Sequence, residues 1–199
     1  MITLRPYQDG DLEALYEICL VTGDAGKDAS PLHNDRQLVG HIYSAPYGAL
    51  EPHNVFVAKD AEGVAGYIVG TYDTLAFAEK LETDWFPALR QRYADPSGLT
   101  PADLQRVEAI MKPHEAPTEL VANYPAHIHM NLLERLRGQR VGTRLLDAWR
   151  DQARANGVKR IHLGASRSNA GGVAFWTKSG FDPLITIGST VWFGMTLSD

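Results

Sequence analysis

Within residues 127–146 the chain changes its hydrophobic period inside one short loop, and few folds accommodate such a change. His127, His129 and Asn131 alternate with Ile128, Met130 and Leu132, the two-residue repeat of a half-buried strand. From Val141 the repeat lengthens: Val141, Leu145, Ala148 and Trp149 share one helical face, up to Asn156-Gly157, where glycine suits a left-handed helix end. Between the two periods lie Arg137, Gly138, Gln139, Arg140, Val141, Gly142 and Thr143. Glycines allow backbone to approach a ligand closely, and the N–H groups and positive dipole end of a new helix favour a phosphate. The dinucleotide-binding pattern needs a third glycine and the ATP/GTP loop needs Gly-Lys-Ser/Thr, and neither is present. An ordinary strand-loop-helix connection is the plainer alternative.

At 199 residues and 44% hydrophobic composition the chain can build one sizeable core, so residues 1–199 are expected to form a single domain. No apolar run approaches the length that spans a bilayer, and Met-Ile-Thr-Leu-Arg-Pro lacks the features of a signal peptide. The single cysteine, Cys19, falls on an apolar helical face with Leu12, Leu15 and Tyr16 and reads as a small buried hydrophobe. A cytoplasmic setting is the expectation. Residues 135–160 hold eight Arg or Lys against Asp147 and Asp151, although the whole chain carries a net charge of −5. An acidic body with one basic segment suits a small polyphosphate, not a nucleic acid or a membrane surface.

In chain order, residues 2–5 read as a short strand and 9–21 as an amphipathic helix with acids at its positive end. The polar loop over 22–31 either joins two helices or uses Asp24 and Asp28 to hold a cationic amine or sugar hydroxyls. Residues 35–43 read as a second helix, and 54–59 with 64–72 as a hairpin around Asp60-Ala61-Glu62-Gly63. From 74 to 125 the alternation stops. Trp85, Phe86 and Tyr93 precede a turn at Asp95-Pro96-Ser97-Gly98, and Thr100 is placed as an N-cap before Pro101. So long a segment needs structure of its own. Residues 158–165 give another strand, Asn169 caps a helix that Gly180 ends, and 184–188 with 190–197 close the sheet.

The run Arg137-Gly138-Gln139-Arg140-Val141-Gly142 resembles the pyrophosphate loop of the GCN5-related N-acetyltransferase (GNAT) superfamily, Arg/Gln-x-x-Gly-x-Gly/Ala, with Arg140 in place of the first glycine. Asn169, Ala170 and Phe175-Trp176-Thr177-Lys178-Ser179-Gly180-Phe181 are similar to that superfamily's Asn, Ala and Phe-Tyr-x-Lys-x-Gly-Phe, with Trp176 in place of the tyrosine. Arg5-Pro6, the loop Thr-Gly-Asp-Ala-Gly-Lys-Asp-Ala and the insertion with Trp85 and Phe86 resemble the acetyltransferase-like domain of O-GlcNAcase and its stand-alone bacterial relatives. The resemblance covers nearly the whole chain. It implies an α/β (α+β) fold, with a mixed, mostly antiparallel central sheet and helices on both faces. Residues 74–125 then form a helical insertion between the third and fourth strands, as a wall over the acceptor site.

The activity implied is acetyl transfer from acetyl-CoA, as co-substrate, to a small amine, aminosugar or peptide, by direct attack in a ternary complex. Backbone near Leu132 and Leu133 would pair with the pantetheine arm. The N–H groups of Gln139 to Thr143, with Gly138 and Gly142 shaping the loop, would take the pyrophosphate. Arg137 and Arg140 would add charge, and Asn169 and Trp176 would border the pantetheine and thiol. If the position of Arg140 demands a positive φ or very close approach, arginine there weakens cofactor binding; otherwise its charge helps hold a phosphate. Indole N–H is not a useful acid near neutral pH, so Trp176 does not replace a tyrosine acid. For the base, His129 is the best side chain by its ordinary pKa, with Asn131 placed to orient substrate or water. Asp24 and Asp28 are the other catalytic candidates. No metal site is expected, because His127, His129 and His162 have no Cys or acid at ligand spacing. A catalytically degenerate module that binds CoA, a protein or a glycan is the alternative, and the oligomeric state is open between monomer and homodimer.

Overall fold

The structure, a computed structural model, describes residues 1–113 and 116–197. The chain begins with β1 (Thr3–Pro6), a short turn of helix at Asp9–Asp11 and α1 (Leu12–Leu20), and continues through α2 (Leu38–Tyr43) and α3 (Ala45–Leu50). The hairpin β2 (Phe56–Asp60) and β3 (Gly63–Thr71) leads into the insertion: α4 (Thr74–Lys80), a π-helical turn (Leu81–Trp85), α5 (Phe86–Arg92), α6 (Pro101–Met111) and α7 (Thr118–Asn123). His114 and Glu115 of the insertion lie outside the described residues. Then follow β4 (Ala126–Leu132), α8 (Val141–Ala155), β5 (Arg160–Ser166), α9 (Ala170–Lys178), β6 (Asp182–Ile187) and β7 (Thr190–Thr196).

The strands form one sheet in the order β1-β2-β3-β4-β5-β7-β6, antiparallel throughout except for the central β4–β5 pair. One face packs against α8 and α9 through Ile68, Ile128, Leu145, Trp149, Leu163 and Phe193. The other packs against α1 and α3 through Leu15, Ile18, Tyr47, Val57, Tyr67 and Val69. The insertion owns a third small core of Leu38, Phe86, Leu89, Tyr93, Val107 and Ile110. The mixed, mostly antiparallel sheet with helices on both faces, and the insertion between the third and fourth strands, are as the sequence predicts.

Local chemistry sets these elements. The Thr100 hydroxyl accepts from the Asp103 N–H at 3.0 Å while the Asp103 carboxylate accepts from the Thr100 N–H at 3.0 Å, a reciprocal cap that fixes the start of α6. Gly70 answers to close approach: a Cβ there would lie 2.5 Å from the His127 carbonyl oxygen and 2.8 Å from the Trp149 ring. The first helix starts three residues later than the pattern suggests, because Asp11 is drawn into a two-pronged pair with the Arg5 guanidinium, at 2.6 and 2.8 Å. Burial keeps Cys19 at 3% exposure and pushes its thiol pKa up, as a small hydrophobe requires.

Candidate active site

The site begins where the central strands part. β4 and β5 pair only at Ala126 with Ile161 and His127 with His162, at the start of both strands. Beyond these, β4 remains registered to β3 as far as Leu132, whereas β5 is registered only to β7. The Leu133 N–H donates to the Ala65 carbonyl on the β3 side. By the alternation of an antiparallel ladder, Met130 and Leu132 then turn their amides toward the gap. Of the two residues expected to offer backbone to a ligand, Leu132 faces the gap and Leu133 has its N–H committed elsewhere.

Both helices that follow these strands start at the open end of the gap. In residues 138–143 no backbone N–H meets an acceptor among the described residues, so the entry to α8 is a run of uncommitted donors. Gly138 has φ +74° with open space at its Cβ position, and Arg140 has φ 57°, ψ 18°, directly before the helix. The glycine position of the loop therefore does demand the left-handed region, and arginine occupies it, the case in which the sequence reading has arginine weaken cofactor binding. The strain falls on the backbone, though, and the side chain stays exposed at the loop. The Arg140 guanidinium is exposed and makes no hydrogen bond or ion pair with a described residue. Gly142 is buried, and a Cβ there would lie 3.2 Å from Leu132 and Phe175 side-chain atoms. Gln139 donates through its amide to the Arg135 carbonyl, and Val141 is buried in the core.

The Arg137 guanidinium donates to the Gly26 carbonyl at 2.9 Å, which ties the loop before α8 to the polar loop after α1. There Asp24 and Lys27 close a tight turn whose central residues, Ala25 and Gly26, both have positive φ. Asn169 abuts the same turn, 3.5 Å from where a Gly26 Cβ would stand, and its Oδ1 accepts from the Gly172 N–H at 2.9 Å to cap α9. Asp24 and Asp28 themselves are exposed, and Asp28 accepts from the Ser30 N–H at 2.8 Å. Between α8 and α9 lies a cleft of about 460 Å³ lined by Arg140, Thr143, Asp147, Arg150, Phe175 and Lys178. Its cations outnumber its one acid. Trp176 is 7% exposed, with its ring edge-on to Phe175 and Phe181 in the core.

On the opposite face of β4 the polar side chains form a row. Tyr47 donates to His127 Nε2 at 2.6 Å; His127 Nδ1 lies 2.8 Å from the Thr74 hydroxyl, which donates to the Pro125 carbonyl at 2.6 Å. That network assigns the proton to Nδ1 and leaves His127 neutral and committed. Desolvation, with His129 and His162 beside it, holds its pKa well below the usual histidine value. Asn131 is likewise fixed: its amide donates to Thr22 at 2.6 Å and accepts from Tyr67 at 3.0 Å. His129 differs. It is half-buried, its imidazole is edge-on to Tyr43, Tyr47 and His127, and neither ring nitrogen has a hydrogen-bond partner among the described residues. Desolvation, then the neighbouring His162, lowers its pKa to about 4. No group of three or more His, Cys, Asp or Glu among the described residues is placed to hold a metal.

Sequence reasoning missed Lys178, Arg150 and Tyr43. Lys178 stands in the recognised Phe-x-x-Lys run and could have been read there; Tyr43 and Arg150 carry no local signal.

Residues 104–181 match the model of the acetyltransferase (GNAT) family. Over 162 residues, 79% of the chain, it is 28% identical to Protein O-GlcNAcase of Rattus norvegicus and of Mus musculus, and it spans 17% of the length of those proteins. The solved structure of SsHAT is 32% identical, covers 100% of this chain and 99% of its own, and superposes with a TM-score of 0.85. PaiA N-acetyltransferase from Thermoplasma acidophilum, solved in complex with coenzyme A, shares the fold at a TM-score of 0.61, with 14% identity and 98% and 99% of the two chains covered. With the parted central strands and the uncommitted loop in place, the chain belongs to the acetyltransferase (GNAT) family.

Proposed function

We propose that residues 1–199 form one acetyltransferase domain that moves the acetyl group of acetyl-CoA to an amine by direct attack, with both substrates bound together. The observation that carries this reading is the gap between β4 and β5, opened after two residue pairs and flanked by the donor run at residues 138–143. The residues fit such a ligand: the loop offers N–H groups, and Arg140 and Lys178 offer cations that no described residue engages. The Met130 and Leu132 amides would pair with pantetheine in the manner of an added strand, and a donor in the gap would steady the developing oxyanion. The bound thioester supplies the activated acetyl group.

On the other face, His129 is the base candidate, since its nitrogens are uncommitted while those of His127 are not. Asn131 and His127 position the strand and the rings around it. Asp24 and Asp28 lie on the polar loop at the mouth, as candidates for amine binding. The insertion, residues 74–125, walls this acceptor side. Trp176, buried between phenylalanines, supports the cofactor helix by packing.

A calorimetric titration with acetyl-CoA, beside CoA and ATP, tests the reading. Binding at about −8 kcal/mol or better that excludes ATP is expected. Absence of binding would turn the search toward the degenerate module, for which arginine at a glycine position is the favouring observation.

A further inference from the structure

We propose that Arg106, on the insertion helix α6, is the anion-recognising residue of the acceptor pocket, and that the acceptor is an amine that also carries a carboxylate or phosphate. The proposal rests on the reading of the His129 face as the acceptor side. The arginines that share this half of the molecule are committed: Arg5 to Asp11, Arg36 to Glu17, Arg90 to Glu82 and Arg92 to Asp35. Arg106 has no carboxylate partner among the described residues. Of the two acids on α6, Asp103 is consumed by His33, by the Asn34 N–H and by the Thr100 N–H, and Glu108 forms no ion pair with Arg106.

What Arg106 does touch is Tyr43. Its guanidinium carbon lies 5.7 Å from the Tyr43 ring centre, and one terminal nitrogen reaches the Tyr43 hydroxyl at 3.5 Å, the limit of a hydrogen bond. Its Nε is buried with no acceptor among the described residues. A guanidinium carries five N–H donors in a planar fork that matches carboxylate and phosphate oxygens. Leaving that fork partly buried and unmet is unfavourable, and an oxyanion of the ligand relieves it.

Tyr43 also fixes where the anion would sit relative to the chemistry. The same ring also meets the His129 imidazole, at 6.0 Å between centroids. One aromatic ring thus contacts both the uncommitted histidine and the guanidinium that lacks a carboxylate partner. An amine at His129 and an anion at Arg106 would then belong to one ligand that lies along Tyr43, a class represented by an ω-amino carboxylate or an aminosugar phosphate.

The test titrates two matched pairs into the protein, with and without CoA: 4-aminobutyrate against butylamine, and glucosamine 6-phosphate against glucosamine. At least one anionic member is expected to bind about tenfold tighter than its neutral counterpart, about 1.4 kcal/mol, and the pair that shows it tells carboxylate from phosphate. In Arg106→Gln the ratio should fall to within about twofold while acetyl-CoA affinity is unchanged. Equal binding within both pairs, no binding by either anionic probe, or a ratio that survives Arg106→Gln would overturn the proposal. If the variant does not fold, the wild-type selectivity decides. Anion selectivity without acetyl-CoA binding would sink the acetyl-transfer reading and with it the acceptor role, whereas acetyl-CoA binding without anion selectivity would overturn this proposal alone.

Discussion

Replacing Arg140 by glycine separates what a left-handed helix start costs from what the arginine side chain does. At φ 57°, ψ 18° a residue with a Cβ is disfavoured by about 1–2 kcal/mol relative to glycine. Arginine is also a poorer N-cap than glycine and sets a positive charge at the positive dipole end, each worth a few tenths of a kcal/mol. Against this, glycine enlarges the unfolded ensemble by about 0.4–1 kcal/mol. No hydrogen bond or ion pair to a described residue is lost, so Arg140→Gly should stabilise the protein by about 1 kcal/mol and raise Tm by about 2–4 °C.

The same substitution should weaken acetyl-CoA by about tenfold, the worth of one charge-assisted contact to phosphate, and make the affinity less dependent on salt. Calorimetry gives both numbers, as a scan for Tm and as titrations at two ionic strengths. An unchanged or lowered Tm would refute the strain reasoning. Tighter acetyl-CoA binding in the variant would show that the guanidinium obstructs the site it is taken to serve.

Two further outcomes follow from the histidine row. His129→Gln should lower kcat by about 100-fold with acetyl-CoA affinity intact, and an unaltered kcat would remove His129 as the base. Folded-state pKa values of His127, His129 and His162, and of His41 buried on α2 against Tyr16, are all depressed, to about 4 for His129 and His41, with desolvation the largest cause for each. Between about 6.5 and 4 the unfolded chain therefore binds more protons. Stability should fall as pH drops through that window, by up to about 1.4 kcal/mol per unit per histidine. A Tm that holds constant between pH 7 and 5 would contradict it.

How far the sequence could be read depends on the range of each interaction. The β4-loop-α8 unit, the hairpin and the closing strands were legible because a two-residue or helical repeat is local, and because Gly157 and Gly180 mark helix ends at φ +79° and +88°. The Thr100 cap was legible for the same reason. The pairing of Tyr47 and Thr74 with His127 was not, since those partners stand 80 and 53 residues away in sequence. Nor could the φ of Arg140 be read: nothing in an arginine announces the left-handed region, and only the motif's glycine hinted at it. The insertion hid Arg106 because its meaning lies in what it fails to contact.

The two sides of β4 present opposite electrostatics, and that contrast bears on the rate-pH profile. The cofactor side is open and cationic, with Arg140 and Lys178 uncommitted. The acceptor side is ring-lined, and desolvation there keeps His129 neutral at any pH above about 5. A base that weak holds no proton near neutrality, so it accepts one well only in passing, toward water or the departing thiolate. Its own ionisation then leaves no mark on kcat/KM above pH 6, and the profile should follow the acceptor ammonium. With two acceptors whose amines differ by about two pKa units, the rising limbs should be displaced by about two pH units, in the order of the amines. Coincident limbs near pH 6.5 for both would mean that a histidine of ordinary pKa limits the reaction, and that substrate binding restores to His129 the basicity that burial removes.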